Sequence, residues 1–294
     1  MFYRRKVILG LIELLGGEVE KLRFQKLLFL YAMKKCDPEY DFVPYKFGCY
    51  SYSAKADMNT MVKKGFLTET ENKYGKKDTA SYSQKLKVSD RHLLQEVVSD
   101  YGSMNSNALI KHTYLNFPFY AIRSTIAMDV LPGNLYERVE KATPKEEETT
   151  LFTIGYEGIS LEKYLQKLVQ NNVKLLVDVR KNPLSMKFGF SKTLLKRYCN
   201  SLGIEYLHIP EVGINSDKRQ TLETQADYDR LFNDYRKNTL AKTRPHQQRI
   251  LKLLQQHKRI ALTCFEAEPC QCHRSHLAET LVLSKNFEIP LKHL

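Results

Sequence analysis

Hydrophobic positions repeat with two different periods along this chain. In the first half they recur at helical spacing. Val7, Ile8, Leu11, Ile12, Leu14 and Leu15 make one apolar face, and Leu22, Phe24, Leu27, Leu28, Leu30 and Tyr31 make a second. An aromatic segment over residues 42–51 follows, then a helix over about residues 53–64 that presents Met58, Met61 and Val62. Beyond Gly65 come a Lys/Gly-rich turn at residues 73–77 and a polar, strand-like stretch at residues 79–83. Three helices followed by a basic two-stranded wing is the order of a winged helix. Helices over about residues 90–101 and 106–114 complete a mostly helical unit spanning residues 1–140. The lysines of its third helix and wing, Lys63, Lys64, Lys73, Lys76 and Lys77, are the candidate nucleic-acid contacts.

Residues 141–150 hold a proline, a charge run and a single alanine as their only apolar residue, which reads as a linker. After it, from residue 151 to 294, short apolar runs alternate with helical segments. Strands are expected over residues 151–155, 173–179, 204–209 and 259–264. Helices are expected from Ser160, whose hydroxyl suits an N-cap, from Ser191, over about residues 225–256, and over 274–283. This alternation predicts a Rossmann-like α/β domain built on a parallel sheet, and ligands of such sheets bind outside the carboxyl ends of the strands.

Composition narrows the class further. No apolar run reaches the roughly 18 residues of a membrane span. Glu13 interrupts the N-terminal apolar stretch and no small-residue cleavage site follows it, so neither a signal peptide nor a membrane partner is expected. Six cysteines in 294 residues, three of them between Cys264 and Cys272, are not a disulfide framework. A reducing, cytoplasmic setting follows as an expectation. The formal charge is +13. Residues 1–150 carry 23 Lys and Arg against 19 Asp and Glu, and residues 151–294 carry 23 against 14. That balance favours anionic partners: nucleic acid, DNA first, or a nucleotide-type ligand. A homodimer is compatible with the sequence.

Four polar segments follow the expected strands and meet at one rim. They are Gly155-Tyr-Glu-Gly158, Asp178-Val-Arg180 with its Lys181-Asn-Pro-Leu-Ser185 extension, His208-Ile-Pro-Glu-Val-Gly213, and Cys264-Phe-Glu266 through Cys270-Gln-Cys-His-Arg274. The glycines of the first would let a phosphate approach a helix N-terminus. Asp178 and Arg180 share one side of a strand, as a buried ion pair or with Arg180 joining Lys181 and Lys187 in a basic mouth for phosphate. Glu157 and Glu266 pair as acid and nucleophile or base for a glycosidic bond. Cys272 stands at a helix start beside His273 and Arg274, where a thiolate is favoured. Tyr156, Arg180, Lys181, His273, Arg274 and Ser275 are the candidate anion ligands, and Glu157, Asp178, Glu266 and Cys272 the candidate catalytic groups. The C-x5-C-x-C-H spacing of Cys264, Cys270, Cys272 and His273 is not the paired C-x2-C of structural zinc, and adjacent Cys272 and His273 seldom share one ion. No metal site is assigned and no cofactor is expected.

The C-terminal motifs carry a resemblance. Thr153-Ile-Gly-Tyr-Glu-Gly158, Leu176-Val-Asp-Val-Arg-Lys-Asn-Pro183, Gly189-Phe-Ser191, Ile204-Glu-Tyr-Leu-His208 and Cys264-Phe-Glu266 with Cys272-His-Arg-Ser275 are similar to the signatures of the DUF488 family. The resemblance implies a compact Rossmann-like domain of bacterial or archaeal, intracellular type and hands over no reaction. In the first half, Lys21-Leu-Arg-Phe-Gln-Lys-Leu-Leu-Phe-Leu-Tyr31, Phe47-Gly-Cys-Tyr-Ser51 and Lys64-Gly-Phe-Leu67 resemble small winged-helix proteins of the YwgA-like and Panacea (SocA-like) groups, with Cys49 where proline is usual. That resemblance implies interaction with nucleic acid or protein. Three readings stand open. One is a nucleic-acid-associated hydrolase or glycosyl transferase acting on a nucleotide, nucleoside or base. Another is a DNA-binding or defence regulator that senses a nucleotide-like ligand. The last is a metal- or redox-sensing regulator centred on Cys264, Cys270 and Cys272.

Overall fold

A computed structural model describes residues 1–215, 224–283 and 289–294. The chain divides into two compact units, Met1–Thr143 and Pro144–Leu294, so the boundary falls inside the expected linker. No helix among the described residues is long and apolar enough to cross a membrane.

The first unit runs α1 (Tyr3–Leu14), β1 (Glu18–Glu20), α2 (Lys21–Met33), β2 (Val43–Tyr45), β3 (Gly48–Tyr50), α3 (Tyr52–Lys63), β4 (Leu67–Glu69), β5 (Lys73–Lys76), α4 (Val88–Tyr101), α5 (Ser106–Asn116), α6 (Ala127–Val130) and α7 (Glu137–Ala142). The apolar faces read from the pattern are buried: Val7, Ile8, Leu11 and Ile12 from α1 pack with Phe24, Leu27, Leu28 and Tyr31 from α2. The wing departs from expectation. Residues 73–76 are strand rather than turn, and they lie between β1 and β4 in an antiparallel sheet of order β1-β5-β4. Tyr74 is the reason, because its buried ring sets edge-to-face against Phe24 at 6.1 Å and its backbone pairs with Val19. Residues 79–83 are not a strand. The Glu13 carboxylate takes the Tyr82 N–H (2.6 Å) and the hydroxyls of Ser81 (2.8 Å) and Ser83 (2.7 Å), which holds them in a turn.

The second unit runs β6 (Thr150–Gly155), α8 (Leu161–Gln170), β7 (Leu175–Asp178), α9 (Lys192–Ser201), β8 (Glu205–His208), α10 (Gln225–Asp234), α11 (Arg244–His257), β9 (Arg259–Cys264), α12 (His273–Leu283) and β10 (Leu291–His293). Its five strands form one parallel sheet of order β10-β6-β9-β7-β8. This is the α/β class expected. Alternation divides the side chains between two faces. Leu151, Leu175, Val177, Ile260 and Leu262 pack against Ile250, Leu254, Leu277 and Leu281 of α11 and α12. On the opposite face Tyr164 of α8 donates to Thr263 Oγ1 at 2.8 Å. The helix expected over residues 225–256 is instead two helices. A π-helical turn over Tyr235–Leu240 loosens it, and Pro245 restarts it in the first turn of α11, where its missing N–H has no helical partner to lose.

The two serines at helix starts separate. Ser160 Oγ accepts from the Lys163 N–H at 3.0 Å, whereas Ser191 makes no side-chain cap, contrary to expectation. Ser160→Ala should therefore cost about 1 kcal/mol and Ser191→Ala close to nothing. Urea denaturation of the two variants side by side checks this, and equal losses would refute it.

Candidate functional site

Because all five strands are parallel, the carboxyl ends of β6, β7, β8 and β9 share one edge. A cavity of about 310 Å³ opens there. Its wall carries the cationic or donor groups Arg180, Lys181 and His273, the rings Tyr156 and Phe265, and the apolar loop residues Leu184 and Met186. None of its lining residues is Asp or Glu. Lys181 is exposed at the cavity and makes no ion pair among the described residues.

Asp178 and Arg180, expected as catalytic and phosphate-binding groups, are turned inward on each other. Asp178 is fully buried and Arg180 is 5% exposed. The Asp178 carboxylate accepts from Arg180 Nε (2.8 Å), Arg180 Nη2, the Arg180 N–H (3.1 Å) and Tyr206 OH (2.6 Å). Arg180 Nη1 donates to Tyr156 OH (2.8 Å) and to the Phe190 carbonyl (2.9 Å). The pair pins the end of β7 to α9's approach segment, and its charges are spent on each other. Burial and the neighbouring Asp178 carboxylate push the Tyr206 phenol well above its usual range. His208 Nε2 bonds to the Arg180 carbonyl at 2.8 Å, which ties β8 to the same junction. Arg180 still borders the cavity, so its ring-stacked neighbour Tyr156, at 4.3 Å from Phe190, is held as a rigid wall.

The two glutamates do not meet in the cavity. Glu157 is exposed, and its Oε2 accepts the Ala267 N–H at 3.0 Å. Neither Glu157 nor Glu266 lines the cavity. The expected acid–base pair is corrected accordingly: Glu157 fastens the loop that follows β9. The glycine turn serves the same loop. A Cβ on Gly155 would lie 1.8 Å from the Glu266 carbonyl oxygen, so this glycine admits a neighbouring backbone rather than a phosphate. Lys187, whose amine burial pushes down, donates to the Tyr156 carbonyl at 2.5 Å.

At the start of α12 the expectation divides again. Cys272 is buried, and burial pushes its thiol up rather than down, which speaks against the free thiolate expected at this helix start. Arg274 is buried and donates to the carbonyls of Glu266 (2.5 Å) and Ala267 (2.9 Å), so it clamps the loop instead of reaching an anion. Ser275 is also buried and is not on the cavity wall. His273 does reach the cavity, as does Cys264. Cys264, Cys272 and His273 bring their ligand atoms within 4.8 Å of one another, whereas Cys270 stands exposed outside the group.

Of the anion ligands read from sequence, Tyr156, Arg180, Lys181 and His273 thus share the cavity, and Arg274 and Ser275 do not. The rim segments read from the sequence contain Leu184 and Phe265 without giving either a role, and they leave out Met186 and Ile214, which also line the wall. Two large apolar residues inside the polar stretch after Asp178-Val-Arg180 were the available signal for Leu184 and Met186; Ile214 had none. In the first unit, Lys73 pairs with Glu18 at 3.6 Å. Lys76 is drawn in by its position on the Tyr74 side of β5 and pairs with Asp78 at 3.2 Å, which takes it off the surface. Lys63, Lys64 and Lys77 remain exposed.

An all-parallel α/β unit with an acid-free cavity at its strand ends is the class this half defines. Residues 160–281 match the family described as Domain of unknown function DUF488, so the C-terminal unit carries a DUF488 domain. The match begins at the Ser160 cap and ends in α12, taking in β7, β8 and β9. No curated protein matches the chain.

Proposed function

We propose that the DUF488 domain binds a small anion of the nucleotide class in the strand-end cavity, and that the chain is a ligand-sensing, DNA-binding regulator. The observation that carries this reading is the cavity wall: exposed Lys181 beside the rings of Tyr156 and Phe265, with Arg180 already paired to Asp178 behind it and no carboxylate among the lining residues. The lysine suits a phosphate, and the exposed Phe265 ring suits a base. Glycosidic-bond chemistry needs an acid and a base or nucleophile at the bond, and with Glu157 and Glu266 outside the wall, binding is the better-supported reading. In the first unit, α1, α2 and α3 followed by the β4–β5 hairpin support a winged helix, and exposed Lys63, Lys64 and Lys77 support a polyanion partner.

Calorimetry of the full chain with ribonucleoside and deoxyribonucleoside phosphates is the direct test. A phosphate-bearing nucleotide should bind, and Lys181→Glu should remove a charge-assisted contact of about 1.5–3 kcal/mol, roughly a ten- to hundredfold loss of affinity. Glu157→Gln should leave ligand affinity unchanged. DNA affinity should fall steeply with salt and shift when the nucleotide is present. Equal affinity of wild type and Lys181→Glu, or no binding across the series, would overturn the proposal.

A further inference from the structure

We infer that Cys264, Cys272 and His273 form a metal site of the zinc class on the floor of the strand-end cavity. Cys264 ends β9, and Cys272 and His273 open α12, so the site joins a strand end to a helix start. All three side chains are buried. Cys264 Sγ lies 3.6 Å from His273 Nδ1, Cys272 Sγ lies 4.0 Å from it, and all three atoms fall within 4.8 Å of one another. A tetrahedral zinc with its usual bond lengths has S···N edges of roughly 3.6 Å and S···S edges of roughly 3.8 Å. The two S···N edges therefore need to contract by at most a few tenths of an ångström around an ion, and the S···S edge by at most about 1 Å.

The imidazole is already oriented for the purpose. His273 Nε2 lies 3.1 Å from the Val179 carbonyl, which can only accept, so the ring proton sits on Nε2. The lone pair is then on Nδ1, facing both sulfurs. A backbone carbonyl fixing the far nitrogen is the usual outer partner of a metal-bound histidine. Adjacent residues in a strand point to opposite sides, which is why Cys272 and His273 looked incompatible as co-ligands. Here Cys272 is extended (φ −133°, ψ 135°) and His273 is the first residue of the helix, so the chain turns between them and their ligand atoms converge.

Two thiolates and an imidazole select zinc over the oxygen-seeking magnesium and calcium. Three protein ligands leave a fourth position, and Cys264 and His273 both line the cavity. The cavity gives the ion its entry path and gives the fourth position to water or to an anion from solution. This inference stands on side-chain geometry and does not require the nucleotide reading.

The test uses the full chain, without an affinity tag, purified without chelator. Elemental analysis should find one zinc per chain. After the metal is stripped, cobalt(II) should titrate to one equivalent with thiolate-to-cobalt charge-transfer absorption and the intense visible bands of four-coordinate cobalt. Cys264→Ser and Cys272→Ser should each abolish that spectrum, and Cys270→Ser should retain it. If either serine variant fails to fold, the wild-type titration still decides. Adding inorganic phosphate should perturb the visible bands through the fourth position. A wild-type chain that takes up neither metal, or metal retained in both serine variants, overturns the site. Loss of nucleotide binding with the cobalt spectrum intact leaves the site supported and counts only against the anion pocket.

Discussion

Asp178→Ala should be among the most destabilising single substitutions in the DUF488 domain, at about 3–5 kcal/mol, because it leaves a buried guanidinium without its counterion. Arg180 would keep only the Tyr156 hydroxyl and the Phe190 carbonyl, and Tyr206 would lose its acceptor. Against a total stability of about 5–15 kcal/mol for an ordinary domain, that is a large fraction. Asp178→Asn keeps the volume and one acceptor and should fall between wild type and alanine. The decisive companion is the double variant Asp178→Leu with Arg180→Met. A buried ion pair adds little over well-packed apolar groups of like size, so the double variant should recover most of the loss. Urea denaturation followed by far-UV circular dichroism measures all three. An alanine variant within 1 kcal/mol of wild type would show that the pair is not what holds the end of β7. The same reasoning bears on function, since lost ligand binding in an Asp178 variant reports unfolding rather than a missing catalytic acid.

The sequence carried the scaffold further than it carried the site. β9 was legible to the residue because Arg259-Ile-Ala-Leu-Thr-Cys264 is a short apolar run behind the polar Gln255-Gln-His-Lys258, and the structure buries it at every position. β10 was not legible: three residues have no period of their own, and only the pairing of Leu291 with Leu151 makes them a strand. The i, i+2 spacing of Asp178 and Arg180 left phosphate binding and ion pairing equally open. What decided between them, Tyr206 and the Phe190 carbonyl, comes from other elements and has no local signature. Glu157 and Arg274 were read as facing a ligand because charged residues at strand ends often do. Both instead satisfy the backbone of residues 266 and 267, a partner that spacing along the chain does not reveal. Spacing along the chain also argued against a cluster of Cys264, Cys272 and His273, and the turn between Cys272 and His273 brings their ligand atoms together all the same.

The two glycines of the Gly155-Tyr-Glu-Gly158 turn should respond very differently to alanine. At Gly155 the added methyl would meet only backbone, 1.8 Å from the Glu266 carbonyl oxygen and 3.2 Å from Ala267 Cα. That backbone has little room to retreat. The Phe265 carbonyl accepts from the N–H groups of Tyr156 (3.0 Å) and Glu157 (2.9 Å), Ala267 donates to Glu157, and Arg274 holds the next two carbonyls. Moving the loop breaks these bonds, and leaving it in place is impossible, so Gly155→Ala should cost about 3 kcal/mol or more, the upper end for an overpacked methyl group. At Gly158 nothing lies within 4 Å, and the cost is the left-handed backbone alone, φ +73°, or about 1 kcal/mol. The effects should separate in binding as well as in stability. Phe265 sits edge-on to Tyr156 at 5.3 Å and walls the cavity, so a displaced loop carries it away from any bound ring. Gly155→Ala should therefore weaken nucleotide affinity under conditions where it is still folded, and Gly158→Ala should leave affinity unchanged. Denaturation and calorimetry on the two proteins would distinguish the cases. Equal losses, or a larger loss at Gly158, would return this turn to the role of a phosphate-approach loop.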